Sequence, residues 1–169
     1  MDNHRHFMGQ ALQEARSALE QGEFPVGCVL VAGGEIIARG HRTNSARNHC
    51  NEIDHAEMVT LRTLIREQPA RDWSRVTVYS TMEPCLMCYA TMLLSGIRTF
   101  VWAYEDAMGG GTNLPLTELN PLYAEMEVTL IERIYRRESL QLFQEFFSTY
   151  SYWQDSLLSR YTLAQPLED

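Results

Sequence analysis

Two cysteines three residues apart, directly behind a proline, place the tightest constraint on this chain: Pro84-Cys85-Leu86-Met87-Cys88. Residues three apart share a helix face, and proline is favoured where a helix begins. The spacing predicts both sulfurs in the first turn of a helix running to Ser95, with Gly96 as its C-terminal cap. The positive end of such a helix favours thiolates. Upstream stands Asp54-His55-Ala56-Glu57. In mid-helix His55 and Glu57 would diverge, but at a first turn both can reach a pocket facing the helix end. One histidine, two cysteines and one glutamate form the donor set of a catalytic zinc site. His55, Cys85 and Cys88 fill three places and leave the fourth open to water. Two thiolates nearly cancel the zinc charge, so the water is less acidic than at an all-histidine site, where its pKa falls to roughly 7. A proton acceptor beside it is therefore wanted, and Glu57 is placed to serve.

Each piece alone has a plainer reading. Asp54 with Glu57 fits a helix capping box. Cys85 and Cys88 alone fit a redox pair. Cys28, in an apolar stretch, reads as core packing, and Cys50 as a free loop thiol. A closed structural zinc site that recruits Cys50 is the non-enzyme alternative. Found together, the two motifs favour the catalytic site.

A chain of 169 residues suits one domain. Lys and Arg number 14 against 22 Asp and Glu, a net charge of −8. Such a surface repels phosphate backbones and argues against broad nucleic-acid binding. Met1 is followed by polar residues rather than an apolar stretch, so a cytoplasmic location is expected. Apolar runs such as Gly27 to Ala32 are too short to span a bilayer.

Periodicity predicts a helix over 4–21, a strand pair over 28–39 turning at Gly33-Gly34, and a helix over 55–67 closed by Pro69. A strand over 75–80, the cysteine helix, and a strand over 97–103 follow. A short helical piece interrupted by Pro121, a strand over 127–131, a helix over 136–150 and a last helix over 152–161 complete the chain. This order predicts one mixed sheet with helices on both faces, its fourth and fifth strands parallel.

The paired signature, His-x-Glu followed by Pro-Cys-x-x-Cys, resembles the cytidine deaminase superfamily. Phe24-Pro25-Val26-Gly27 and Glu83-Pro84-Cys85-x-x-Cys88 are most similar to its tRNA adenosine deaminase and guanine deaminase branch. The resemblance covers about residues 5 to 150. It implies an α/β fold, a three-layer α/β/α sandwich on a five-stranded mixed sheet. Residues 1–169 would then be a single deaminase domain, with a helical tail over about 151–169. It further implies one Zn2+ on His55, Cys85 and Cys88, Glu57 as proton shuttle, hydrolytic release of ammonia, and a homodimer. Asn44, Ala56 and Asp106 are the candidate substrate-binding residues. An asparagine in the similar enzymes holds the base, and Asn44 lies eleven residues before His55. Counting forward from Gly40 instead places Arg42 there. Asp106 sits in a loop that in those enzymes meets the neighbouring sugar; it also reads as an exposed turn acid. The glycines at 109–111 lack the Lys-Ser/Thr of a phosphate loop.

The tail departs from the tRNA-acting enzymes, which end in a basic segment, whereas residues 159–169 here are acidic to neutral. Arg133, Arg136 and Arg137 are flanked by Glu132 and Glu138, as on a solvated helix face. Tyr150, Tyr152, Trp153 and Tyr161 read as packing residues rather than a lid over the site. A small nucleobase or nucleoside is thus the expected substrate, with no membrane partner. Adenosine in tRNA is the alternative.

Overall fold

The apolar stripe of the N-terminal segment forms α1 (Asp2–Glu20) in the computed structural model, which describes residues 2–45, 51–68 and 72–167. Cys50, Pro69 and the acidic pair at the C-terminus lie outside the described residues. β1 (Gly27–Ala32) and β2 (Glu35–His41) form an antiparallel hairpin. Gly33 and Gly34 turn it at φ values of 61° and 82°; two positive values match the twist of the paired strands. α2 (Ala56–Glu67), β3 (Thr77–Met82), α3 (Leu86–Leu94) and β4 (Thr99–Tyr104) alternate along the chain. After them come a four-residue α4 (Pro121–Ala124), β5 (Thr129–Ile131), α5 (Arg136–Thr149) and α6 (Leu157–Ala164).

The sheet order is β2-β1-β3-β4-β5. β3 runs antiparallel to β1 and parallel to β4, and β4 runs parallel to β5. This is the mixed five-stranded sheet expected from the order of elements. Alternate strand residues feed opposite faces. Val29, Val31, Tyr79, Val101 and Ala103 pack with Phe7, Met8 and Ala11 of α1. Cys28, Leu30, Val78, Phe100 and Trp102 pack instead with Leu61 and Leu64 of α2 and with Tyr89, Met92 and Leu93 of α3. Cys28 is fully buried, the packing role read from its strand.

Three of the boundaries that differ from expectation have a local cause. α3 starts at Leu86, with Cys85 as its N-cap and Pro84 before it. Pro121 opens α4 rather than interrupting it, because the first helical position needs no N–H donor. The last helix starts at Leu157, not 152: Ser156 caps it by accepting the Ser159 N–H, and Trp153 just before sits at φ 52°.

The tail is anchored on the core. Phe24 meets Phe143, Phe146 and Tyr152 with ring centroids 5.2, 5.3 and 5.9 Å away. Tyr104 Oη lies 3.0 Å from Thr162 Oγ1, and Tyr161 donates to Glu105 at 2.8 Å. Arg136 closes an ion pair on the same Glu105. Among the described residues no helix is long and apolar enough to cross a membrane.

Candidate metal centre and active site

Two helix starts face each other at one end of the sheet. His55 is the N-cap residue of α2, at φ −60° and ψ 151°, and makes no capping hydrogen bond with its side chain. The capping-box reading of Asp54 and Glu57 is thereby replaced. Asp54 instead accepts from Asn44, Asn51 and Arg62. Glu57, two residues on, is 3% exposed and turns inward. Cys85 and Cys88 occupy the N-cap and first turn of α3, directly after β3, and the positive ends of both helices point at the same place.

The ligand atoms of His55, Cys85 and Cys88 all lie within 4.8 Å of one another, the only such group among the described residues. His55 Nδ1 is 3.4 Å from Cys85 Sγ and 3.5 Å from Cys88 Sγ. A tetrahedral zinc ion at ordinary bond lengths separates a nitrogen ligand from a sulfur ligand by about 3.6 Å. The three donors therefore fit one zinc without rearrangement. The three groups are electrostatically coupled. Cys85 is lowered to about 4, because the Cys88 S–H and then His55 hydrogen-bond its thiolate, against burial. Cys88 keeps the shared proton and is raised, by that same bond to Cys85 and by burial. Burial works against a charged His55, but the Cys85 hydrogen bond and the nearby negative charges outweigh it, and its pKa is raised.

Glu57 is buried beside the three donors. Burial pushes its carboxyl above the usual range, the His55 charge opposes this, and Cys85 adds to it. Ser80, fully buried on β3, donates to Glu57 Oε1 at 2.8 Å. Cys88 Sγ lies 3.6 Å from Oε2.

A cavity of about 120 Å3 opens beside these groups. His55, Ala56, Glu57 and Cys85 line one side, and Arg42, Glu52, Asp106, Tyr152 and Trp153 are among the residues of the others. Its volume lies below the roughly 300–1,000 Å3 of drug-sized ligand sites. Ala56 and Asp106 thus reach the cavity, Asp106 with Oδ1 accepting the Met108 and Gly109 N–H groups at 3.0 and 2.8 Å. Asn44 does not line it. It is exposed, sits at φ 58°, and its amide is held by Asp54 at 2.8 Å. Arg42 lines the cavity in its place.

The glycine run has a steric role. Gly111 N–H donates to Pro84 O at 2.9 Å, and a Cβ on Gly111 would come within 2.6 Å of the Leu86 backbone. Glu83 accepts from Asp106 N–H and Thr112 N–H at 3.2 and 3.3 Å, tying this loop to the start of α3. Ser80 stands outside every motif, and Glu83 enters only as part of Glu83-Pro84-Cys85-x-x-Cys88. Their signal is positional, since β3 delivers one to Glu57 and the other to the cysteine turn. Of the aromatic tail residues, Tyr152 packs at a tilt in the Phe24 cluster and Tyr161 stacks on Tyr104, whereas Tyr150 and Trp153 are exposed. The Tyr152 hydroxyl also donates to Glu52 at the cavity wall.

Fold and site together define a zinc-dependent hydrolase of the amine-releasing class. Residues 1–104 match the cytidine and deoxycytidylate deaminase zinc-binding region. A tRNA-specific adenosine deaminase of Bacillus subtilis is 36% identical over 124 residues, covering 72% of this chain and 76% of the relative. That of Agrobacterium fabrum is 32% identical over 149 residues, 87% of this chain and 95% of the relative. A solved structure from work on A-to-I editing by tRNA:A34 deaminases is 30% identical, with a TM-score of 0.66 over 81% of this chain and 98% of that one. A guanine deaminase from Nitrosomonas europaea shares the fold at 21% identity and a TM-score of 0.67 over 84% of this chain and 83% of that one. The chain belongs to the family of zinc-binding cytidine and deoxycytidylate deaminases.

Proposed function

We propose that this chain deaminates a small free nucleobase or nucleoside, with His55, Cys85 and Cys88 holding one zinc ion and Glu57 moving the protons. The observation that carries the reading is the convergence of three metal donors and a buried carboxylate on a cavity walled by the chain's own tail. Zinc, when bound, supplies a Lewis-acidic position that activates water toward an amine-bearing ring carbon. Glu57 takes the water's proton on Oε2, since Ser80 occupies Oε1. It delivers protons to the ring nitrogen and then to the departing amine, so one water is consumed and one ammonia released. A carboxyl whose pKa is lifted by burial suits a group that must both accept and return a proton near neutral pH. The Ala56 backbone and Asp106 bound the substrate's position. Net charge −8 and the placement of Tyr152 and Trp153 support a small ligand over a polynucleotide. The enzyme is read as a cytoplasmic homodimer, for which the exposed Leu86 and Leu94 of α3 offer an apolar contact face.

The second reading, deamination of adenosine in tRNA, is favoured by the activity named for the relatives. Ammonia release from the zinc-loaded protein separates the two. The panel is cytosine, adenine, guanine, their nucleosides, and an anticodon stem-loop. Turnover of a base or nucleoside is the expected result. Turnover of the stem-loop alone would establish the second reading, and silence across the panel would overturn both.

A further inference from the structure

A buried arginine and a metal donor meet on one carboxylate, that of Glu52. Just ahead of α2, Asn51 Oδ1 accepts the Ile53 N–H and the Asn51 amide donates to Asp54 Oδ2, both at 2.7 Å. Glu52 is carried within this turn to the cavity wall. Arg42 is 2% exposed, and its Nη2 donates to Asn51 O at 2.7 Å and to Glu52 Oε2 at 3.1 Å. A guanidinium shut away from water needs a counter-charge, and Glu52 is the only ion-pair partner of Arg42 among the described residues. The same Oε2 lies 3.7 Å from His55 Nε2. Tyr152 donates to the other oxygen, Oε1.

His55 turns Nδ1 toward the two sulfurs, so as a neutral metal ligand it carries its ring proton on Nε2. Ligation draws electron density from the ring and leaves that N–H more positive. A carboxylate beside it orients the ring and raises its basicity as a ligand. At 3.7 Å the contact is longer than a hydrogen bond and acts through charge. Glu52 has a second effect. Arg42 and His55 meet across one oxygen, and an uncompensated guanidinium at that place would repel a cation. We infer that Glu52 is a positioning residue for the metal: clamped by Arg42, it orients His55 and offsets the guanidinium charge that a bound zinc ion would otherwise face. The inference rests on His55, Cys85 and Cys88 as the zinc ligands of the proposed function and adds the contact that supports them.

The test is the zinc affinity of the full chain, read by competition with a chromogenic chelator and so apart from turnover. Glu52→Gln is expected to weaken zinc binding roughly 10- to 100-fold. Glu52→Asp keeps the charge but shortens its reach; it is expected to lose less, and it serves if the Gln variant does not fold. Tyr152→Phe, which touches only Oε1, is expected to leave the affinity unchanged, because Arg42 still holds Oε2. In long-range 1H–15N spectra of the zinc-loaded protein, the His55 Nε2 resonance, read through the ring C–H protons, is expected to shift in the Glu52 variant. An unchanged affinity in folded Glu52→Gln, or in Glu52→Asp where the Gln variant does not fold, would overturn the inference. So would an unmoved Nε2 resonance. An equal loss in Tyr152→Phe would overturn it too, since the effect would then belong to the tail and not to the contact with His55. A parent chain that binds no zinc counts against the proposed function, whereas a parent that binds zinc no better than its Glu52 variants counts only against Glu52.

Discussion

The two sides of the cavity are held in different ways. On the metal side, His55, Glu57, Cys85 and Cys88 stand at the starts of α2 and α3, and β3 supplies Ser80 beneath them. On the facing side, which the proposed function gives to the substrate, Arg42, Glu52 and Asp106 come from segments between regular elements, and Tyr152 and Trp153 from the stretch before α6. Helix termini fix the direction of a side chain within one turn. Connecting segments fix it only through the partners they find. Under the proposed function the chemistry rests on helix starts and the substrate wall on connecting segments.

Substitution on the metal side should be the more damaging. Cys88→Ala is expected to lose both zinc and turnover; full zinc occupancy by elemental analysis in that variant would remove Cys88 from the ligand set. Glu57→Gln should keep its zinc and lose roughly 10²–10⁴ in kcat, and a near-normal rate would end its role as proton carrier. Ser80→Ala, one contact further out, should cost roughly 10- to 100-fold in rate at unchanged zinc content. An effect on KM alone would instead assign Ser80 to the substrate side.

On the other side the effects shrink. Tyr152→Phe removes one hydroxyl bonded to Glu52 and should cost about 1 kcal/mol in thermal stability at most, with zinc retained. A collapse of zinc binding there would show that the two sides are not independent. Last comes pH. Burial pulls Glu105 upward, but Arg136 and Tyr161 outweigh it and its pKa is lowered in the folded protein. A lowered folded pKa means the contribution to docking the tail is present above the ordinary carboxylate range and is lost as pH falls through the folded value. Trp153 fluorescence should therefore report loosening of the tail in acid, and Glu105→Gln should abolish that transition.

The same division explains what could be read from residues alone. Cys85-x-x-Cys88 behind Pro84 and His55-x-Glu57 are local patterns, and helix periodicity converts them to directions without knowledge of the fold. The sheet followed from alternation and turn chemistry at Gly33-Gly34. Asn44 against Arg42 was not decided by spacing from His55, because the chain between β2 and α2 is irregular. Pairing continues one residue past β2 through the Arg42 N–H, and Arg42, not Asn44, lines the cavity. Gly111 offered no phosphate motif; its purpose lies in contact with a turn distant in sequence, which only the folded chain reveals. Tyr152 was legible as an aromatic that packs, and its bond to Glu52 was not, because nothing local joins them.

That last bond has a consequence for the order in which the molecule is made. His55 and Cys88 are separated by 33 residues, Tyr152 and Glu52 by 100. Closing the longer loop costs about 1 kcal/mol more chain entropy, and a nascent chain emerges from its N-terminus. The shorter loop between the metal donors is therefore the easier to close, and its residues emerge first. By loop length the metal donors close before the Tyr152–Glu52 contact, and a lesion that delays the last twenty residues is expected to leave that contact unmade.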